Sequence, residues 1–157
     1  MGKFNIEMKP EGEKLKVTMK GSIDEDVDFA QHPLASAAVI ELEMSGIEGI
    51  NSCGIREWIK WMSTVSNSKI IYIKCPKVIV DQINIVDGFL PNNGQVESFF
   101  VPYYSEDTAE EKNILFRFGQ EFTESSVTPP KDIKDQEGGD MEMDVIEAKY
   151  FKFLKKK

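Results

Sequence analysis

The sequence predicts an α/β fold, a mixed β-sheet with helices packed on it, followed by a small β and aromatic appendage. Three observations carry this. Residues 3–9 and 14–20 alternate apolar and polar on either side of Pro10-Glu11-Gly12, the pattern of a hairpin with one solvated face. Beyond it, strand-type runs alternate with segments of helical period, which implies right-handed crossovers and mostly parallel strands. After Pro102 the texture changes to Pro-Pro and Gly-Gly pairs, dense charge and a closing aromatic group. The expected division is a domain over 1–102 and an extension over 103–157.

In the second hairpin strand Leu15, Val17 and Met19 share one face, Lys14, Lys16 and Lys20 the other, and Gly21 closes the run. Ser22-Ile23-Asp24-Glu25 predicts a short helix capped by Ser22 or Asp24, with acids in its first turn and Phe29 as its anchor. Ala38–Met44 is a strand, Ser45–Ile50 a loop, and Asn51-Ser52 a cap. The helix that follows is expected over 53–65. Its apolar stripe is Ile55, Trp58, Ile59, Met62 and Val65, at spacings of three and four. Lys69–Ile73 is the next strand, 76–86 the next helix with Asp87-Gly88 as its stop, and Val96–Val101 a last strand ended by Pro102. In the extension, Asn113–Phe118 reads as a strand and 123–139 as an exposed loop. Met141–Leu154 ends in Tyr150, Phe151 and Phe153, which are expected to pack back on the domain.

The chain has 157 residues and a net charge of -8, shared evenly by the two parts. That balance argues against non-specific nucleic-acid binding, which needs a positive surface. The basic end, Lys152–Lys157, is the one local exception. Two cysteines make no disulfide framework, and one histidine, His32, leaves no basis for histidine catalysis or a multi-histidine metal site. The first 17 residues hold no apolar run of the secretory kind, and no run is long enough to span a bilayer. A cytoplasmic protein without membrane insertion is the expectation.

The segment richest in chemistry is Met44–Ile55, where a buried strand feeds a loop and then a helix N-terminus, at the carboxyl edge where ligands gather in α/β sheets. Amides of Cys53, Gly54 and Ile55 would stabilise a phosphate on Ser52 there. The plainer reading makes Ser52 an N-cap, worth about 1 kcal/mol. Cys53 is either a thiol activated by the helix N-terminus or a structural cysteine; the first role needs a positioned base. In the extension, Ser105 and Thr108 have the spacing of one half of a zinc ribbon, but hydroxyls are poor zinc ligands. The extension is therefore read either as a ribbon-like hairpin without its metal or as an ordinary β appendage. No metal and no cofactor is expected.

The stretch from about Lys14 to Val101 resembles a STAS domain, the fold of bacterial anti-sigma-factor antagonists. Gly21-Ser22-Ile23-Asp24-Glu25 is similar to the family's Gly-x-Leu-Asp turn. Val39–Ile47 resembles its central strand, usually written with Asp-Leu-Ser. Asn51-Ser52-Cys53-Gly54-Ile55 is similar to its Asp-Ser-Ser-Gly-Leu helix start. The resemblance implies a STAS-like mixed sheet and a phosphoacceptor at Ser52, acted on by a partner kinase. Asn51 stands where the family has Asp, Cys53 where it has the second Ser, and Glu43 where it has the strand Asp.

The expected function is a non-enzymatic protein-interaction module of the STAS type, with phosphorylation of Ser52 as its switch. Its partner would be a kinase-like anti-sigma factor. The alternative is a constitutive scaffold subunit of a larger bacterial assembly. Candidate contacts are Asp24, Asn51, Cys53, Gly54, Arg56, Lys60 and Trp61. An enzyme is disfavoured, because no Gly-x-Gly-x-x-Gly, phosphate-binding loop or Gly-x-Ser-x-Gly elbow is present.

Overall fold

In a computed structural model, residues 3–34 and 37–155 are described; Lys156 and Lys157 of the basic end lie outside them. The chain is α/β. A five-stranded sheet has the order β1-β2-β3-β4-β5, and a three-stranded sheet has the order β7-β6-β8.

Strands β1 (Asn5–Glu11) and β2 (Lys14–Ile23) pair antiparallel, from Asn5 opposite Lys20 to Glu11 opposite Lys14. The turn is Gly12-Glu13 rather than Pro10-Glu11-Gly12, and Gly12 takes φ 63°. Pro10 lies within β1, which tolerates it as an edge strand. Leu15, Val17 and Met19 are buried, as their shared face predicts.

β2 runs on through Ile23, so the expected helix at Ser22–Glu25 is absent. A single 3-10 turn, Phe29–Gln31, replaces it, and its cap is Asp28, whose carboxylate accepts from the Ala30 amide at 3.0 Å. Phe29 is the buried anchor.

β3 (Val39–Ile50) also outruns its expected end at Met44, because Ser45–Ile50 remains strand. It pairs parallel with β2 and takes up two extra residues, where Lys20 meets Gly46 and where Ser22 meets Gly49. These are bulges, and glycine fits them. A Cβ on Gly46 would come within 2.6 Å of the Lys20 Cβ. Gly46, part of a stretch expected to be loop, therefore lets two strands approach.

Helix α1 (Ser52–Ser63) follows, then β4 (Lys69–Ile73), α2 (Lys77–Ile85) and β5 (Gly94–Val96), with β3, β4 and β5 all parallel. The buried face of α1 is Gly54, Trp58, Trp61 and Met62. Ile55 and Ile59 of the expected stripe are only half-buried. The face is rotated toward Trp61, which stacks on Phe29 at 4.4 Å and donates its indole N–H to the His32 carbonyl at 2.9 Å.

The expected strand Val96–Val101 is two strands. β5 ends at Val96, and β6 (Ser98–Tyr104) begins the second sheet. Glu97 is the crossing residue. Its amide donates to Tyr72 O of β4, and its carbonyl accepts from Phe118 just past β7, each at 2.8 Å. Pro102 does not stop β6; its carbonyl accepts from the Asp144 amide at 2.8 Å. β7 (Glu111–Arg117) and the two-residue β8 (Glu142–Met143) flank β6 antiparallel.

A short α3 (Glu147–Tyr150) then turns the tail back. Phe151 stacks on Phe116 at 6.0 Å and lies 6.0 Å from Phe99, so the closing aromatic residues do pack inward. Buried side chains of both sheets form one continuous cluster. No helix among the described residues is long and apolar enough to cross a membrane.

Candidate functional site at the start of helix α1

The expected phosphate cradle is organised by Asn51. Its backbone is extended and its Oδ1 accepts from the Gly54 amide at 2.9 Å, so Asn51, not Ser52, is the N-cap. Its carbonyl takes the Ile55 amide at 2.9 Å, and its own amide donates to Ile23 O at 3.1 Å. Two of the three amides assigned to a phosphate, those of Gly54 and Ile55, are thus already bonded within the cap. Ser52 is the first residue of α1 and is exposed.

Asn51 also reaches across to the loop after β2. Its Nδ2 donates to Glu25 Oε2 at 2.7 Å, across 26 positions of sequence. The Glu25 carboxyl is held below the usual range, first by its own backbone amide and then by Asn51. Asp24 is half-buried and accepts from the Asp26 amide at 3.0 Å, which shapes the same loop. Loop and helix start are therefore one fixed surface.

The other candidates divide. Arg56 and Lys60 are exposed; both approach Glu57, at 3.8 and 3.4 Å. Cys53 is half-buried, and its Sγ lies 3.9 Å from an Arg56 guanidinium nitrogen. Gly54 is no contact residue. It is buried against β2, and a Cβ there would meet Ile23 O at 2.4 Å, so the helix start can approach the sheet only with glycine at this position. Trp61 is no contact residue either, being 4% exposed under the 3-10 turn. Gly54 is a candidate through the helix-start motif and Trp61 through its place beside the apolar stripe, and neither signal sees what lies across the helix.

Cys75, at the carboxyl end of β4, is a buried free thiol whose pKa burial pushes up, and Cys53 is also free. No group of three or more His, Cys, Asp or Glu among the described residues is arranged to hold a metal. No buried side-chain polar atom among them lacks a hydrogen-bond partner, so no orphan marks a ligand pocket.

Sequence reasoning missed two features. In the sequence Glu25 reads as a first-turn acid of a helix, and no local pattern couples it to Asn51. The second is a groove of about 760 Å3 between α2 and the tail, lined by Asn84, Ile85, Tyr104, Ile146 and Lys149 among others. Ile85 and Ile146, 76% and 63% exposed, flank it. A scan against protein-family models and a search of curated proteins both find no match.

Proposed function

We propose that the chain is a non-enzymatic, cytoplasmic protein-interaction module of the STAS type, docking a partner through the edge at the start of α1. The observation that carries this reading is the Asn51–Glu25 bond. It locks the loop after β2 to the helix start, so Asp24, Ser52, Arg56 and Lys60 sit on one preorganised polar surface. Preorganisation lowers the ordering cost of binding.

The same bond favours constitutive docking, as in a scaffold subunit, over a phosphoswitch. The cap consumes donors that a phosphate would use, and the Glu25 carboxylate lies beside it. Ser52 phosphorylation is supported by a different observation, its exposure as the first residue of a helix, where the dipole favours anions.

The test begins with capture of partners from native lysate, followed by titration of the purified partner against variants. Arg56→Glu and Lys60→Glu should each weaken binding with the thermal midpoint unchanged. Wild-type affinity in both would remove the α1 edge from the interface. Under constitutive docking, Ser52→Asp and Ser52→Ala both keep wild-type affinity. Loss of affinity in Ser52→Asp alone, with a phosphopeptide covering Ser52, identifies the switch, because a phosphate adds about -1.5 to -2 charges to that surface.

A further inference from the structure

The extension holds two loops that close on one another. The first, residues 105–110, joins β6 to β7, and the second, residues 135–140, precedes β8. Each buries one polar side chain. Ser105 is 2% exposed and Asp135 6%, and Ser105 Oγ donates to Asp135 Oδ2 at 2.6 Å.

Each loop also folds its own amides around that side chain. The Thr108 amide donates to Ser105 Oγ at 3.2 Å. The amides of Glu137 and Gly139 both donate to Asp135 Oδ1, at 2.9 Å. Ala109 takes φ 60° and Gly138 φ 82°, left-handed conformations that turn the chain tightly after each buried group. One further bond crosses between the loops, Gln136 N–H to Glu110 Oε1 at 2.7 Å, and a second joins the residues beside them, Lys112 Nζ to Lys134 O at 2.6 Å.

A metal ribbon is built on this plan. Two tight loops each offer two ligands about three or four residues apart, and outer hydrogen bonds orient the ligand atoms. Ser105 and Thr108 are three apart. On the second loop a Cβ at Gly139 would lie 2.9 Å from Asp135 Oδ2, so positions 135 and 139 aim at one point. What differs is the donor chemistry: two hydroxyls, a carboxylate and a glycine in place of thiolates.

We propose that the Ser105–Asp135 hydrogen bond occupies the place of the structural metal in a two-knuckle ribbon. The extension is a metal ribbon clasped by a charge-assisted hydrogen bond, and its loops keep a latent thiolate zinc site. The Asp135 carboxyl is held below its usual range, first by the Ser105 hydroxyl, then by the Gly139 and Glu137 amides and the Lys112 charge, as a carboxylate in that role requires.

The test restores the thiolates in the full chain, as S105C/T108C/D135C/G139C, and titrates Co(II) and then Zn(II). The variant should bind roughly one equivalent with the absorption of tetrahedral thiolate cobalt. Its thermal midpoint should rise with metal and fall again with EDTA, while wild type responds to neither. A variant that folds only when zinc is added gives the same answer, because structural zinc supplies folding free energy. A folded variant that takes no metal overturns the proposal, as does wild-type protein that loses stoichiometric zinc and stability together in EDTA.

Should the variant fold under neither condition, Ser105→Ala decides by amide hydrogen exchange. Exchange at Thr108, Glu137 and Gly139 should quicken about tenfold with α1 unchanged. Unchanged protection in both loops overturns the clasp.

Discussion

The two sheets are held by different means. The five-stranded sheet is covered by two helices and centred on an aromatic hub. Trp58 stacks on Phe89 at 5.6 Å, donates to Tyr72 Oη at 2.9 Å, and meets both Phe29 and Trp61 edge-on. The three-stranded sheet brings no long helix of its own and shares α2, whose Asn84 bonds the Tyr150 carbonyl and the Phe153 amide of the tail. Phe99 collects Phe116, Phe122, Tyr150, Phe151 and Phe153 from the loops and tail around it, and the hydrogen-bonded clasp joins the two loops. Long regular elements bring their apolar faces with them. Short ones must gather theirs from distant positions, so the second region depends more on each single contact.

The largest expected effects test that contrast. Trp58→Ala and Phe99→Ala each remove a fully buried ring and should each cost about 3–5 kcal/mol, read by urea unfolding. They should differ in what is released. Phe99→Ala should expose the tail after residue 140 to protease before global unfolding, and Trp58→Ala should not. Identical cleavage patterns would mean that the two sheets open as one cooperative unit.

One buried tyrosine in each region sharpens the comparison. Tyr72 donates to Phe89 O at 2.6 Å, and Tyr150 donates to Phe100 O. Burial raises both hydroxyls well above their ordinary range. An acid whose folded pKa is raised stabilises the fold below its unfolded value, about 10, and loses that contribution as pH climbs above it. Stability should therefore fall above about pH 10. Tyr72→Phe strands the Trp58 indole N–H, should cost about 1–3 kcal/mol at neutral pH, and should flatten part of the alkaline fall. An alkaline limb identical to wild type in Tyr72→Phe and in Tyr150→Phe would contradict the assignment.

A smaller loss is expected at the helix start. Asn51→Ala removes the cap and the tie to Glu25 and should cost about 0.5–2 kcal/mol in chemical denaturation. Ser52→Ala should cost less, since Ser52 does not cap; an equal loss would restore Ser52 to that role.

The smallest effect belongs to the clasp. Asp135 has a lowered folded pKa, so its contribution is present above the unfolded carboxylate value, about 3.9, and disappears as pH falls below that toward the folded value. Asp135→Asn should therefore shallow the acid limb of thermal midpoint against pH below about pH 4. An unchanged limb would place the carboxylate outside the energetics of the clasp.

The sequence by itself determined what depends on near neighbours. Alternation at Leu15, Val17 and Met19 fixed which face of the hairpin is buried. Period and punctuation located α1, α2 and β4 to within about two residues, because an amphipathic face is written in the spacing of the chain. The candidate site was legible as a place, a helix start beside the sheet's carboxyl edge. Tertiary structure decided everything that rests on groups far apart in sequence. It turned α1 toward Trp61 because Phe29 and the His32 carbonyl wait there. It kept β3 extended through Gly46 and Gly49 because β2 lies close enough to pair with them. It moved the chain between sheets at Glu97 because Tyr72 and Phe118 take that residue's two backbone groups. It set Glu25 on Asn51 across 26 residues and Ser105 on Asp135 across 30. A hydrogen bond of that span has no period and no local signature, so only the folded packing can choose its partners.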